Sequence, residues 1–231
     1  MPKRDLPQAG VPAGHVPRSH EMRRAYPLLR ARNGHLHWWP GRTRIEVIVG
    51  AILTQNTAWT QVEKAIAALR AKRLLSVRGL RRASLPRLEG AIRPSGYFRQ
   101  KSRKLKAFVA LLDREYGGSL ARMGRAPTDA LRARLLATWG IGPETADSIL
   151  LYAFARPAFV VDAYTHRIAS RHQWAPERIG YAELQRLFVA ALPRDAALYN
   201  DYHAQLVWVG KHFCGPRPRC EGCPLGVLLE G

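Results

Sequence analysis

Leu135-Leu136-Ala137-Thr138-Trp139-Gly140-Ile141-Gly142-Pro143-Glu144-Thr145-Ala146 joins one helix to the next through a Gly-Ile-Gly bend. Two glycines let the backbone turn tightly and come close to a partner. Pro143 suits the first position of the following helix, where no helix uses the N–H that proline lacks. Behind it Ala146, Ile149, Leu150, Ala153 and Phe154 recur at i, i+3, i+4, i+7 and i+8, a stripe that must face a core. Backbone N–H groups at such a bend form an anion site, which makes Gly140, Ile141 and Gly142 candidates for holding a phosphate. Standing alone, the same bend is an ordinary turn between helices.

Outward from it the same periodicity holds almost everywhere. Apolar spacing predicts helices at 44–55, 58–72, 84–92, 99–115, 128–138, 143–155, 163–173, 181–191 and 196–213, and no β-branched alternation is long enough for a sheet. Pro94-Ser95-Gly96, Gly117-Gly118 and Arg156-Pro157 punctuate the pattern. The fold class read from this is all-α. No apolar run reaches the roughly 18 residues of a membrane span. Residues 1–24, with Pro2, Pro7, Pro12 and Pro17 and no apolar signal region, read as a disordered basic tail, and the chain as cytoplasmic and, in a bacterium, nucleoid-associated.

The charge balance names the partner. Of 231 residues 37 are Lys or Arg and 17 Asp or Glu, a formal charge of +20 with pI ≈ 11.0. That excludes an ordinary near-neutral enzyme of acidic metabolites, and a 47% hydrophobic share excludes a disordered basic tail protein. Nucleic acid is the polyanion such a chain concentrates, and 30 of the basic residues are Arg, whose fork matches phosphate. Codon bias in a GC-rich genome accounts for an Arg excess equally well at this point. Gly96-Tyr97-Phe98-Arg99-Gln100-Lys101-Ser102-Arg103-Lys104 opens a helix after a glycine turn, and taken alone Arg99, Lys101 and Lys104 form a solvated basic helix face.

Twenty residues after Gly142, Phe159-Val160-Val161-Asp162-Ala163-Tyr164 places one carboxylate at the start of another helix. An N-cap explains Asp162 by itself. A helix N-terminus also keeps the group ionised, and an ionised carboxylate stabilises positive charge developing beside it. Three cysteines, Cys214, Cys220 and Cys223, are too few and too close for a disulfide framework and suit a metal or cluster site.

Through the Gly-Ile-Gly hairpin, Asp162 and the Cys-rich end, residues 36–229 resemble the helix-hairpin-helix DNA glycosylases of the endonuclease III superfamily. The resemblance implies two helical domains with a DNA cleft between them: a six-helix barrel at 44–156 and a second domain from 25–43 plus 157–231. It implies a monomer acting on double-stranded DNA with damaged bases, in which the stretch with Arg99, Lys101 and Lys104 lies against the DNA backbone and Asp162 assists hydrolysis of the N-glycosidic bond of a flipped nucleotide. Bifunctional members carry a lysine where Glu144 stands; a carboxylate forms no Schiff base, so base removal without a lyase step is expected. Glu144 is otherwise a first-turn acid favourable to its helix.

Trp38-Trp39-Pro40 with Gln55 to Trp59 is similar to the 3-methyladenine glycosylase branch. There Trp38 and Trp59 would sandwich the base, Gln55 would fill the gap in the duplex and Lys211 would lie near the pocket. An alkylated base is cationic and binds well between aromatic faces. For Trp39 core packing is the preferred account. The cysteines resemble the iron-sulfur loop of endonuclease III and imply a [4Fe-4S] cluster with three ligands, Leu229 standing where the fourth falls; His212 or an external ligand completes it, or the cluster is labile or lost. Two other functions fit the same motifs: a bifunctional glycosylase and AP lyase on oxidised pyrimidines, and a non-catalytic lesion-binding module.

Overall fold

The computed structural model describes residues 18–39 and 41–229. The expected tail at 1–17 lies outside them. Among the described residues every regular element is helical, as the periodicity predicts. The chain divides into two compact units, one running to Trp38 and resuming at Phe159, the other Trp39–Ala158.

The second unit holds α2 (Arg44–Leu53), α3 (Trp59–Ala71), α4 (Val77–Arg82), α5 (Leu85–Ile92), α6 (Phe98–Tyr116), α7 (Leu120–Met123), α8 (Thr128–Leu136) and α9 (Pro143–Ser148). Thr43 caps α2 through Glu46 N–H, and nine of the ten α2 residues are buried, so this helix is the unit's centre. Around it pack Val62, Leu69, Leu88, Leu105, Phe108, Leu131, Leu135, Ile149 and Leu150, all at most 1% exposed. Side chains of this kind stabilise by about 1.5 to 3 kcal/mol each on full burial. The helix expected over 143–155 changes pitch at Ile149, where Ile149–Ala153 widens into a π-type turn ending at Ala155 with φ +51°.

The first unit comprises α1 (Ser19–Asn33), α10 (Ala163–Arg171), α11 (Tyr181–Ala191) and α12 (Ala196–His212). Its core is aromatic. Phe159 stacks on Phe188 at 4.4 Å, Tyr199 and Tyr202 meet Phe159 edge-on, and Trp174 donates from Nε1 to Glu21 at 2.9 Å. Residues 19–24, expected in the tail, form the first turns of α1. Met22, Ala25 and Leu29 are fully buried at helical spacing, but Pro27 and the prolines ahead of it disguise the pattern. The short α4 and α7 hold too few residues to display a period and are likewise absent from the sequence expectation.

Candidate active site

Asp162 is the N-cap of α10. Its Oδ1 accepts from Thr165 N–H at 2.8 Å and from Thr165 Oγ1 at 2.9 Å, while Oδ2 stands 3.6 Å from His203 Nε2 on α12. The side chain is 15% exposed, so one carboxylate oxygen is spent on the helix and the group still reaches the surface. Burial by itself raises this carboxyl, but His203 and the two Thr165 donors outweigh it and hold the group below the ordinary carboxylate range. The arrangement provides a fixed negative charge at the start of α10.

The geometry of α12 carries this unit's other candidate groups. Asp201, 1% exposed, accepts from Tyr26 Oη at 3.0 Å and Leu36 N–H at 3.1 Å, with the Arg30 guanidinium at 3.4 Å. Gln205 donates to Gly34 O and accepts from Asn33 Nδ2, both at 2.8 Å. Together these contacts fix the segment that ends in Trp38. Lys211, exposed on the last turn of α12, holds its ammonium 5.9 Å from the Trp38 ring centroid, so the structure brings these two predicted residues together. Asp201, His203 and Gln205 were not singled out from the sequence. The available signal was the polar run Asn200, Asp201, His203 and Gln205 at the centre of a helix whose flanking residues are mostly apolar.

The hairpin closes as expected at Gly140, whose φ is +79°, but not every N–H there faces outward. Ile141 N–H donates to Thr138 O at 3.1 Å and the Ile141 side chain is 4% exposed, so Ile141 belongs to the turn and the core rather than to a phosphate site. Gly142 and Glu144 are exposed, Glu144 in the first turn of α9. Beneath, Arg132 of α8 grips the fully buried Asp147 of α9 with two hydrogen bonds of 2.7 and 3.0 Å. Gln55 donates from Nε2 to Gly140 O at 3.1 Å and to Thr145 Oγ1 at 2.9 Å, and its Oε1 accepts from Lys104 Nζ. The Lys104 stem crosses Gly140 so closely that a Cβ there would lie 2.5 Å from Lys104 Cγ. Glycine is therefore required twice over, by conformation and by space.

Lys101 is a correction. It was expected on the DNA backbone or on a solvated helix face, yet it is 1% exposed and its ammonium donates to Leu53 O at 2.8 Å and Ser95 O at 2.6 Å. Burial, assisted by the charge of Lys104, lowers it to about 8. It ties the end of α2 to the turn before α6. Arg99 is exposed as expected, with Arg93 and Arg99 at 5.6 and 6.0 Å from the Phe98 ring. Trp39 and Trp59 both pack on the core of the second unit, their rings meeting edge-on at 4.9 Å and 85°, over Gly50. Tyr152 lies 4.9 Å from Trp39 on another side. Beside the tryptophans opens a cavity of about 190 Å³ lined also by Arg42, Glu46, Glu63 and Arg70, where Arg70 pairs with Glu46 at 2.7 Å.

At the Cys-rich end the donor set does not fit a four-thiolate cluster. Cys214 is buried, Cys220 exposed and Cys223 between them, and among the described residues no three His, Cys, Asp or Glu side chains are placed to hold a metal ion. Cys214 Sγ instead accepts from Arg171 at 3.2 Å, and Leu229, 45% exposed, offers no ligand atom. Arg171 also donates to Gly215 O and Pro216 O, and Arg167 to Cys214 O, so guanidinium groups tie this loop to α10. Of the described helices, none is long and apolar enough to cross a membrane.

A family model described as the HhH-GPD superfamily base excision DNA repair protein matches residues 49–194, which include both hairpin and Asp162. The chain belongs to the HhH-GPD superfamily. It is an enzyme of that DNA glycosylase group, acting in base excision repair. Over 202 residues this HhH-GPD chain is 43% identical to a Methanocaldococcus jannaschii protein provisionally named a DNA repair glycosylase, covering 87% of this chain and 91% of the relative. Endonuclease III of Thermotoga maritima is 32% identical over 182 residues, covering 77% and 78%. Among solved structures, the 3-methyladenine DNA glycosylase (MagIII) of H. pylori bound to 1,N6-ethenoadenine superposes with a TM-score of 0.73 at 26% identity, over 85% of this chain and 98% of that one.

Proposed function

We propose that this enzyme hydrolyses the N-glycosidic bond of an alkylated purine turned out of duplex DNA, and that it does so without nicking the strand. The observation that carries the reading is Asp162, held ionised with one oxygen on the α10 cap and the other facing His203 Nε2 at 3.6 Å. As the base departs, the sugar takes on oxocarbenium character, which an ionised carboxylate stabilises while it orients or deprotonates water. The charge of +20 supports DNA as the partner, held by exposed cations such as Arg99 and by the hairpin. Trp38 and Trp59 are the electron-rich rings assigned to a cationic base, and the likeness to MagIII supports the same substrate class. Glu144, where a Schiff base requires an amine, supports hydrolysis alone. No step needs an iron-sulfur cluster.

The identity to an endonuclease III favours one other reading, a glycosylase with lyase activity on oxidised pyrimidines. A panel of duplex oligonucleotides carrying alkylated purines or oxidised pyrimidines, assayed with and without borohydride, separates the two. The proposal expects release of alkylated purines, no trapped adduct, and loss of release in Asp162→Asn with DNA binding retained. Asn caps a helix as well as Asp does, so the variant is expected to fold. Full turnover by Asp162→Asn would overturn the assignment.

A further inference from the structure

We propose that His203 is a positioning residue for Asp162, holding the oxygen that the helix cap leaves over. The inference rests on the reading of Asp162 as the reacting carboxylate. Thr165 and His203 are the groups that face Asp162, and they divide it: Thr165 takes Oδ1 with two donors, His203 stands 3.6 Å from Oδ2. A carboxylate pinned at one oxygen alone keeps a rotation about its side-chain bond. A second polar contact on the other oxygen removes it, and a group held within a fraction of an ångström is what a reaction at a sugar carbon requires.

The imidazole cannot be moved aside. His203 projects from the middle of α12, where every residue from Asp201 to Val207 is buried, and its side chain is 6% exposed. The separation of α10 from α12 is fixed nearby at Gly210, where a Cβ would lie 2.3 Å from Tyr164 Cδ1. Were this place only to be filled, an apolar ring would do so without desolvating a polar one. A contact of 3.6 Å is longer than a hydrogen bond, and such contacts at catalytic groups shorten in the substrate complex.

The test uses the full chain in single-turnover base release from a duplex carrying 1,N6-ethenoadenine or 7-methylguanine, with duplex affinity measured alongside. His203→Phe keeps a ring and removes the donor. It is expected to slow release on the order of 10²-fold with affinity unchanged, and to move the acid limb of the rate profile to higher pH. His203→Gln, whose amide N–H reaches the place of Nε2, is expected to recover most of the rate, while the shorter His203→Asn is not. If His203→Phe fails to fold, the Gln and Asn variants decide alone: equal rates overturn the proposal. A wild-type rate and acid limb in His203→Phe overturn it too. Asp162→Asn is run in parallel: if it is inactive while His203→Phe is fully active, only the positioning role falls; if it is fully active, both readings fall.

Discussion

Replacing Arg132 by Met tests whether the hairpin is held by charge. The guanidinium gives two bonds of 2.7 and 3.0 Å to Asp147, whose side chain is 0% exposed while that of Arg132 is 31% exposed. Removing one member of a buried ion pair typically costs 3 to 5 kcal/mol, because the remaining charge keeps its desolvation penalty. Water reaches one side of Arg132, so the lower figure applies, about 3 kcal/mol. For a chain of this size 1 kcal/mol shifts the melting temperature by about 2 to 4 °C, giving a fall of roughly 6 to 12 °C. Because Asp147 sits on the helix that follows the Gly-Ile-Gly bend, affinity for undamaged duplex is expected to fall as well. Thermal unfolding and a double-mutant cycle with Asp147→Asn measure the coupling, and the double variant is expected to regain most of the loss. A melting temperature within 1 °C of wild type in Arg132→Met, or strictly additive effects in the cycle, would refute the reasoning.

Gly210→Ala forces a methyl into the Tyr164 ring at 2.3 Å and is expected to cost about 1 to 3 kcal/mol by overpacking, read by urea unfolding; an unchanged midpoint would count against the α10 to α12 contact. Lys101 titrates at about 8 in the folded chain and near 10.4 unfolded, so between those values the unfolded state holds the extra proton and wild-type stability gains with rising pH. Lys101→Met lacks that gain, and the stability difference between the two proteins is expected to widen in favour of wild type from pH 8 to 10.5; a flat difference would show that the ammonium is not buried. At the Cys-rich end, protein purified anaerobically is expected to lack stoichiometric iron and cluster absorbance, and Cys220→Ser to release bases at the wild-type rate. Four iron atoms per chain would reverse that conclusion.

Local rules made much of this molecule readable in the amino-acid order. The Gly-Ile-Gly bend, the helix starting at Pro143 and the cap at Asp162 are each decided within a few residues, by glycine's φ range, proline's missing donor and a carboxylate's reach to the N–H three residues on. Helical period identified nine helices for the same reason. It failed at α1, where Pro27 masks the stripe of Met22, Ala25 and Leu29 that tertiary packing rescues.

What depended on folding was the company each side chain keeps. Nothing local distinguishes Lys101 from Lys104, yet one is enclosed against Leu53 O and Ser95 O and the other lies across Gly140. Three cysteines at suggestive spacing leave a four-thiolate set one ligand short, since Leu229 has no ligand atom to offer. His203 faces Asp162 only because α10 and α12 pack against each other at a glycine. Order along the chain determined which residues could carry charge, turn or cap. Packing between distant segments decided which of them meet, since contact and desolvation depend on separations in space that sequence distance does not set.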